Sequence, residues 1–273
     1  MDIYFSYTIY ATDEALLGLL TQFEFESFEE NEDHIVGYIH SKELNDDVKE
    51  QIAQTINLFT ENFQVDEIQP QNWNEIWEAS FQPVIVDDFC QIRAEFHPAN
   101  PNIKHDLVIN PKMAFGTGHH ATTYMMIKQM DGIDFMAKNV FDFGCGTGIL
   151  AILASKLGAN HIDAIDIEQE SYLNTIENSQ INQVENVTSI CGDLADAPES
   201  KYEVILANIN RNILVRYVTP LVERLEDGGV LLLSGVLVDD KELVINTYTQ
   251  AGLNLNICLE REGWICASMT KQM

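Results

Sequence analysis

Val140-Phe141-Asp142-Phe143-Gly144-Cys145-Gly146-Thr147-Gly148-Ile149-Leu150 decides the fold of this 273-residue chain. An apolar strand carrying an acidic residue turns on three glycines spaced by one and runs into an apolar helix. Glycine is needed where backbone takes positive φ or lies flush against a ligand, because a Cβ would collide there. The spacing is Gly-x-Gly-x-Gly. Ile149 stands where a dinucleotide turn of the Gly-x-Gly-x-x-Gly kind has its last glycine. That difference favours S-adenosylmethionine over a nicotinamide dinucleotide, with the backbone of Gly144 and Gly146 cupping it at the bend.

Downstream, Ile149 to Leu157 reads as a helix stopped by Gly158. A second apolar strand, Ile162 to Ile167, contains Asp166, 22 residues beyond Gly144. A carboxylate at the end of a second strand, about 20 residues past the glycine turn, is where a parallel α/β sheet receives ribose hydroxyls. The alternative for Asp166 is to cap a helix from Glu168 to Asn178. Asp142 is expected to brace the glycine turn and to face the ligand's ammonium. A third strand leads to Asp193, which either meets an adenine amino group or serves a surface turn. The fourth, Tyr202 to Ala207, delivers Asn208 at its carboxyl end, where ligands of open parallel sheets gather. An amide there holds the cofactor's amino-acid part or steers an incoming amine; the competing role is to cap a helix from Ile213 to Leu225. Val230 to Leu233, a helix from Asp239 to Gln250, and two antiparallel strands, Leu253 to Leu259 and Trp264 to Met269, complete an α/β sheet of seven strands.

Upstream, Phe81 to Val86 and Phe89 to Glu95 form an expected hairpin turning at Asp87-Asp88, followed by Leu107-Val108-Ile109. The segment Asn110 to Thr123 then offers two glycines, small residues and paired threonines before a helix from Tyr124 to Met130. Such a loop suits closure over a bound cofactor. Thr122 or Thr123 is expected to cap the helix, a role compatible with ligand contact. His119 and His120 are adjacent and cannot share one helical face, and no carboxylate or cysteine sits at ligand spacing. No metal site is expected.

Composition bounds the class. No apolar run approaches a membrane span, and the start lacks a basic secretory signal. Five scattered cysteines without a Cys-x-x-Cys pair read as reduced thiols of a cytoplasmic protein. Lys and Arg total 15 against 43 Asp and Glu, a net charge of −28. Residues 1–80 hold 18 of the acidic side chains and two basic ones, Lys42 and Lys49. That field repels phosphate backbones and draws in a basic partner, so a nucleic-acid substrate is not expected. Within it the elements read β-α-β-β-α-β, the ferredoxin-like split unit. The expected organisation is an acidic α+β recognition domain at 1–68, a linker at 69–80 and an α/β domain at 81–273. Trp73 and Trp77, four apart in the linker, are expected to staple the domains.

These residues resemble the PrmA-type ribosomal protein methyltransferases, which modify protein eleven of the large subunit. The resemblance covers essentially the whole chain. It rests on Trp73 to Pro83, Ala114-Phe115-Gly116-Thr117-Gly118 with Thr122-Thr123, Asp142 to Gly146, Ala207-Asn208-Ile209 and the closing Trp264. It departs at His119 and Ala121, where that family commonly has threonine and proline. It implies a Rossmann-like class I methyltransferase, with S-adenosylmethionine met by Thr123, Gly144, Asp166 and Asn208. It also implies that the acidic front domain recognises the substrate, and that lysines and an N-terminal amine of a basic large-subunit protein are the acceptors. A monomer is expected. The alternatives are a methyltransferase of small molecules, a nicotinamide-dependent oxidoreductase, and a cofactor-binding adaptor without catalysis.

Overall fold

Alternating apolar residues build the first of two units. The computed structural model describes residues 3–68, 82–110 and 118–273 and divides the chain into units 1–80 and 81–273. Trp73, Trp77 and the loop residues 114–117 lie outside the described residues.

The first unit runs β1 (Tyr4–Ile9), α1 (Glu14–Leu20), β2 (Phe25–Glu30), β3 (Ile35–His40), α2 (Asp46–Asn57) and β4 (Phe63–Ile68). Its antiparallel sheet has the order β2-β3-β1-β4. Helix starts follow capping chemistry: Asp13 accepts from the Ala15 N–H and Asn45 from the Val48 N–H, each at 2.8 Å. Tyr7, Ile9 and Ile39 face Leu16, Leu20, Ile52 and Ile56 in one buried cluster. Gly37 lies beneath Phe25 and Phe28; a Cβ there would stand 2.8 Å from the Phe28 ring. On the opposite face of the sheet, the Tyr4 hydroxyl donates to Glu26 at 3.1 Å.

The second unit opens with a small sheet, β5 (Val84–Val86), β6 (Cys90–Arg93) and β7 (His105–Val108). β5 and β6 form a hairpin around Asp87, whose φ is +49°, and β7 joins β6 in parallel. Arg93 clamps Asp106 with two guanidinium nitrogens at 2.8 and 2.9 Å, fixing the register of β6 and β7. Helix α3 (Ala121–Met130) follows.

The larger sheet then forms from β8 (Asn139–Phe143), α4 (Ile149–Lys156), β9 (His161–Asp166), α5 (Gln169–Ile181), β10 (Val187–Cys191) and β11 (Tyr202–Asn208). It continues through α6 (Arg211–Arg216), α7 (Val218–Arg224), β12 (Leu225–Leu237), α8 (Lys241–Gln250), β13 (Leu253–Arg261) and β14 (Trp264–Lys271). The order is β10-β9-β8-β11-β12-β14-β13; β8 to β12 are mutually parallel and β14 is antiparallel to both neighbours. The sheet is therefore mixed, and its fold is α/β. One cluster, including Val140, Ile152, Leu153, Ile162 and Leu206, fills one side; another, including Phe141, Ile165, Ile205, Leu221 and Tyr248, fills the other. A single helix from Ile213 to Leu225 is not what forms. Pro220 lacks an N–H and its ring crowds the carbonyl four residues back, at Arg216, where the helix breaks. No helix among the described residues is long and apolar enough to cross a membrane.

Candidate functional site

The chain passes from β8 outward to β9 and β10, then returns to the other side of β8 as β11. Strand order thus reverses between β8 and β11, and the crevice beyond their carboxyl ends is where such sheets take ligands. Gly144 leaves β8 there and Asn208 ends β11.

The glycine turn is shaped by its backbone. Gly144, Gly146 and Gly148 have φ of +77°, +55° and +77°, a region that L side chains rarely occupy. A Cβ at Gly144 would also stand 2.8 Å from Ile209 Cδ1, so this turn and the end of β11 touch. The Gly144 and Cys145 amides donate to the Ile165 carbonyl at 2.9 and 3.0 Å, tying the turn to β9. Cys145 is buried, and desolvation holds its thiol well above the ordinary range. It is no thiolate nucleophile.

Two carboxylates frame the turn, and the bracing expected of one is supplied by the other. Asp166, rather than Asp142, braces it: Oδ2 accepts from the Gly146 N–H at 2.9 Å and Oδ1 from the Glu168 N–H at 3.0 Å. Asp142 braces the helix beyond, its Oδ2 accepting from the Ala151 N–H at 3.1 Å. Its Oδ1 is buried without a hydrogen-bond partner among the described residues. Burial pushes the Asp142 carboxyl up to about 7, the Ala151 bond opposes this, and the charge of Asp166 adds to it.

Across the crevice, Asn208 Nδ2 donates to Thr123 Oγ1 at 3.3 Å, joining β11 to the first turn of α3 over 85 residues of sequence. Neither threonine caps α3. The cap is His120, whose Nδ1 accepts from the Thr122 N–H at 3.3 Å and lies 2.8 Å from Thr122 Oγ1. The His120 ring meets Trp264 edge-on, with centroids 4.9 Å apart. The helix accordingly starts at Ala121, three residues earlier than its apolar run suggests. Capping of α6 falls to Asn210, which accepts from the Ile213 N–H at 3.2 Å, and leaves Asn208 to Thr123. Asp193 caps a short 3-10 turn and accepts from the Tyr217 hydroxyl at 2.5 Å, a bond that holds its pKa down. The structure thus gathers Gly144, Gly146, Asp166, Thr123 and Asn208 around the switch point and gives Asp193 a turn-forming role.

Sequence reasoning missed the His120 cap. No group of three or more His, Cys, Asp or Glu side chains able to hold a metal ion occurs among the described residues.

This donor set fits S-adenosylmethionine. Positive-φ glycines open a close approach to backbone, Asp166 offers a carboxylate to hydroxyls, and the orphaned Asp142 Oδ1 is an acceptor suited to an ammonium.

Comparison with known proteins points the same way. Residues 6–272 match the family described as "Ribosomal protein L11 methyltransferase (PrmA)". A protein of that name from Porphyromonas gingivalis is 40% identical over 276 residues, covering 96% of this chain and 92% of the relative. Another, from Bacteroides thetaiotaomicron, is 35% identical and covers 98% and 99%. Among solved structures, a ribosomal protein L11 methylase from Lactobacillus delbrueckii subsp. bulgaricus superposes with a TM-score of 0.64 at 24% identity. That match spans 71% of this chain and 100% of the other, and it bears on the fold alone.

Proposed function

The chain belongs to the ribosomal protein L11 methyltransferase family, and on that premise we propose that it methylates lysine side chains and the N-terminal amine of that large-subunit protein. S-adenosylmethionine is the methyl donor. The observation that carries the reading is the Asp166 carboxylate seated on the Gly146 amide at the strand-order reversal. In this reading Gly144 and Gly146 lay bare backbone against the cofactor, Asp166 receives its ribose hydroxyls, and Asp142 faces its ammonium. Thr123 and Asn208 close the opposite wall.

When bound, S-adenosylmethionine supplies a methyl group on a sulfonium, which an amine lone pair accepts while the bonding electrons stay on sulfur. The chain's own task is to align and desolvate that amine. With Nδ2 of Asn208 engaged by Thr123, the amide oxygen of Asn208 is the acceptor for an amine N–H. A site shielded from water lowers the lysine pKa and frees the lone pair.

Residues 81–273 are read as the Rossmann-like class I domain of seven strands, and residues 1–68 as a ferredoxin-like recognition domain joined through 69–80. The strand orders of the two sheets support both readings. The acidic front unit is read as the docking element for a basic ribosomal protein, with no direct nucleic-acid substrate, acting as a monomer in the cytoplasm. The sheet face opposite its core, with Glu26 beside Tyr4 and Glu29 beside Tyr38, matches a basic surface by charge.

The test is incubation of the full chain with S-adenosylmethionine and purified L11, followed by peptide mass spectrometry. Methyl groups are expected on lysine side chains and the N-terminal amine. Methylation confined to glutamine side chains, or to RNA in a ribosomal mixture, would contradict the proposal.

A further inference from the structure

Helix α5 buries a polar stripe. Ser171, Asn174, Thr175, Asn178 and Ser179 are buried, as is Asn182 just past its end, whereas Leu173 is 54% exposed. Steps of three and four residues place these side chains on one helical face. Asn174 Nδ2 and Ser179 Oγ have no hydrogen-bond partner among the described residues, and the bonds of the other members show what the stripe holds.

Thr175 Oγ1 donates to the Gly146 carbonyl at 3.1 Å, and Asn178 Nδ2 donates to the Thr147 carbonyl at 2.9 Å. The helix also packs directly on the turn: a Cβ at Gly148 would stand 2.8 Å from Thr175 Cγ2. Asn178 faces two ways, because its Oδ1 accepts from the Asn110 N–H at 3.1 Å. Asn110 starts the segment that leads to α3 and Thr123. Asn182, equally part of the stripe, grips β7 instead. Its Oδ1 accepts from the Val108 N–H at 3.0 Å and its Nδ2 donates to the Val108 carbonyl at 2.6 Å.

We propose that Thr175 and Asn178 are positioning residues for the cofactor site, acting through the peptide planes of the glycine turn. The inference rests on reading that turn as the S-adenosylmethionine site. A peptide unit is planar, so fixing the Gly146 carbonyl also fixes the Thr147 N–H, and fixing the Thr147 carbonyl fixes the Gly148 N–H. Thr175 thereby orients the Thr147 N–H, and Asn178 holds the peptide whose Gly148 N–H donates to the Cys145 carbonyl at 2.9 Å, without either being assigned contact with cofactor or amine. Asn178 in addition ties this turn to Asn110, just past the end of β7.

The test compares wild type with Thr175→Val, Asn178→Ala and Asn182→Ala by calorimetric titration with S-adenosylmethionine, each well below its own unfolding midpoint. Thr175→Val and Asn178→Ala are expected to weaken binding about tenfold, the worth of one buried hydrogen bond. For Thr175→Val the loss should appear in the KM for the cofactor, with kcat at saturation little changed. Asn182→Ala should lower the unfolding midpoint yet bind within about twofold of wild type. Thr175→Val keeps the side-chain shape and decides the matter even where Asn178→Ala fails to fold. Wild-type affinity in Thr175→Val, or an equal loss in Asn182→Ala, would overturn the inference. Absence of binding by wild type would instead overturn the cofactor reading beneath it.

Discussion

At Asp142, burial pushes the carboxyl up to about 7 from an ordinary 3.8, because its charge would sit in the core beside that of Asp166. Since the folded value is the higher one, the stability tied to this group is full below about pH 4 and is lost as pH rises through about 7. Asp142→Asn removes that dependence while keeping an acceptor for the Ala151 N–H. The unfolding midpoint of the variant, relative to wild type, should rise between about pH 4 and 7 and level off above. A difference independent of pH would contradict the assignment. The placing of Asp166 and Asn208 was legible in the sequence, because each is a polar residue closing an apolar strand. The division of labour between Asp142 and Asp166 was not. It depends on how two strands 20 or more residues apart cross at the turn, which no local pattern encodes. The His120 cap was hidden for a different reason: Thr122 and Thr123 are the usual capping types, and an imidazole acceptor is not.

Among the elements, the glycine turn tolerates little change. Gly144→Ala places a methyl 2.8 Å from Ile209 Cδ1 at a φ of +77°. Left-handed backbone alone costs an L residue about 1–2 kcal/mol, and the contact adds to it. A lowered unfolding midpoint together with weakened cofactor binding is expected; an unchanged midpoint would show that the turn relaxes freely. The strand-turn-helix-strand run from Val140 to Asp166 was legible because apolar runs of strand length alternate with a helix bounded by glycines. The split of α6 from α7 was written in Pro220 yet passed over, since the apolar spacing on either side continues in phase. The polar stripe of α5 was also visible as Ser171, Asn174, Thr175, Asn178, Ser179 and Asn182 at helical spacing. It reads as a solvated face until its neighbours are known, because only the backbone it grips turns polar residues inward.

Over the whole molecule, charge is the dominant long-range property. With −28 overall and two basic side chains among residues 1–80, attraction to a basic substrate should weaken as salt rises, while cofactor binding changes less. Reversing Glu26 and Glu29 to lysine should raise the KM for L11 several-fold, at about the tenfold scale, and leave cofactor affinity unchanged. Equal kinetics for this variant at low salt would remove this sheet face from recognition. The hairpin of β5 and β6 was legible as two apolar runs around Asp87-Asp88, whereas the parallel pairing of β7 with β6 was not, since it joins segments twelve residues apart that no local pattern links. The most direct measurement is calorimetric titration of the wild-type chain and Asp166→Ala with S-adenosylmethionine and, separately, NAD. Saturable binding of S-adenosylmethionine alone, weakened at least about tenfold in Asp166→Ala, is the predicted result. Binding of NAD in its place, or full affinity in the variant, would contradict it.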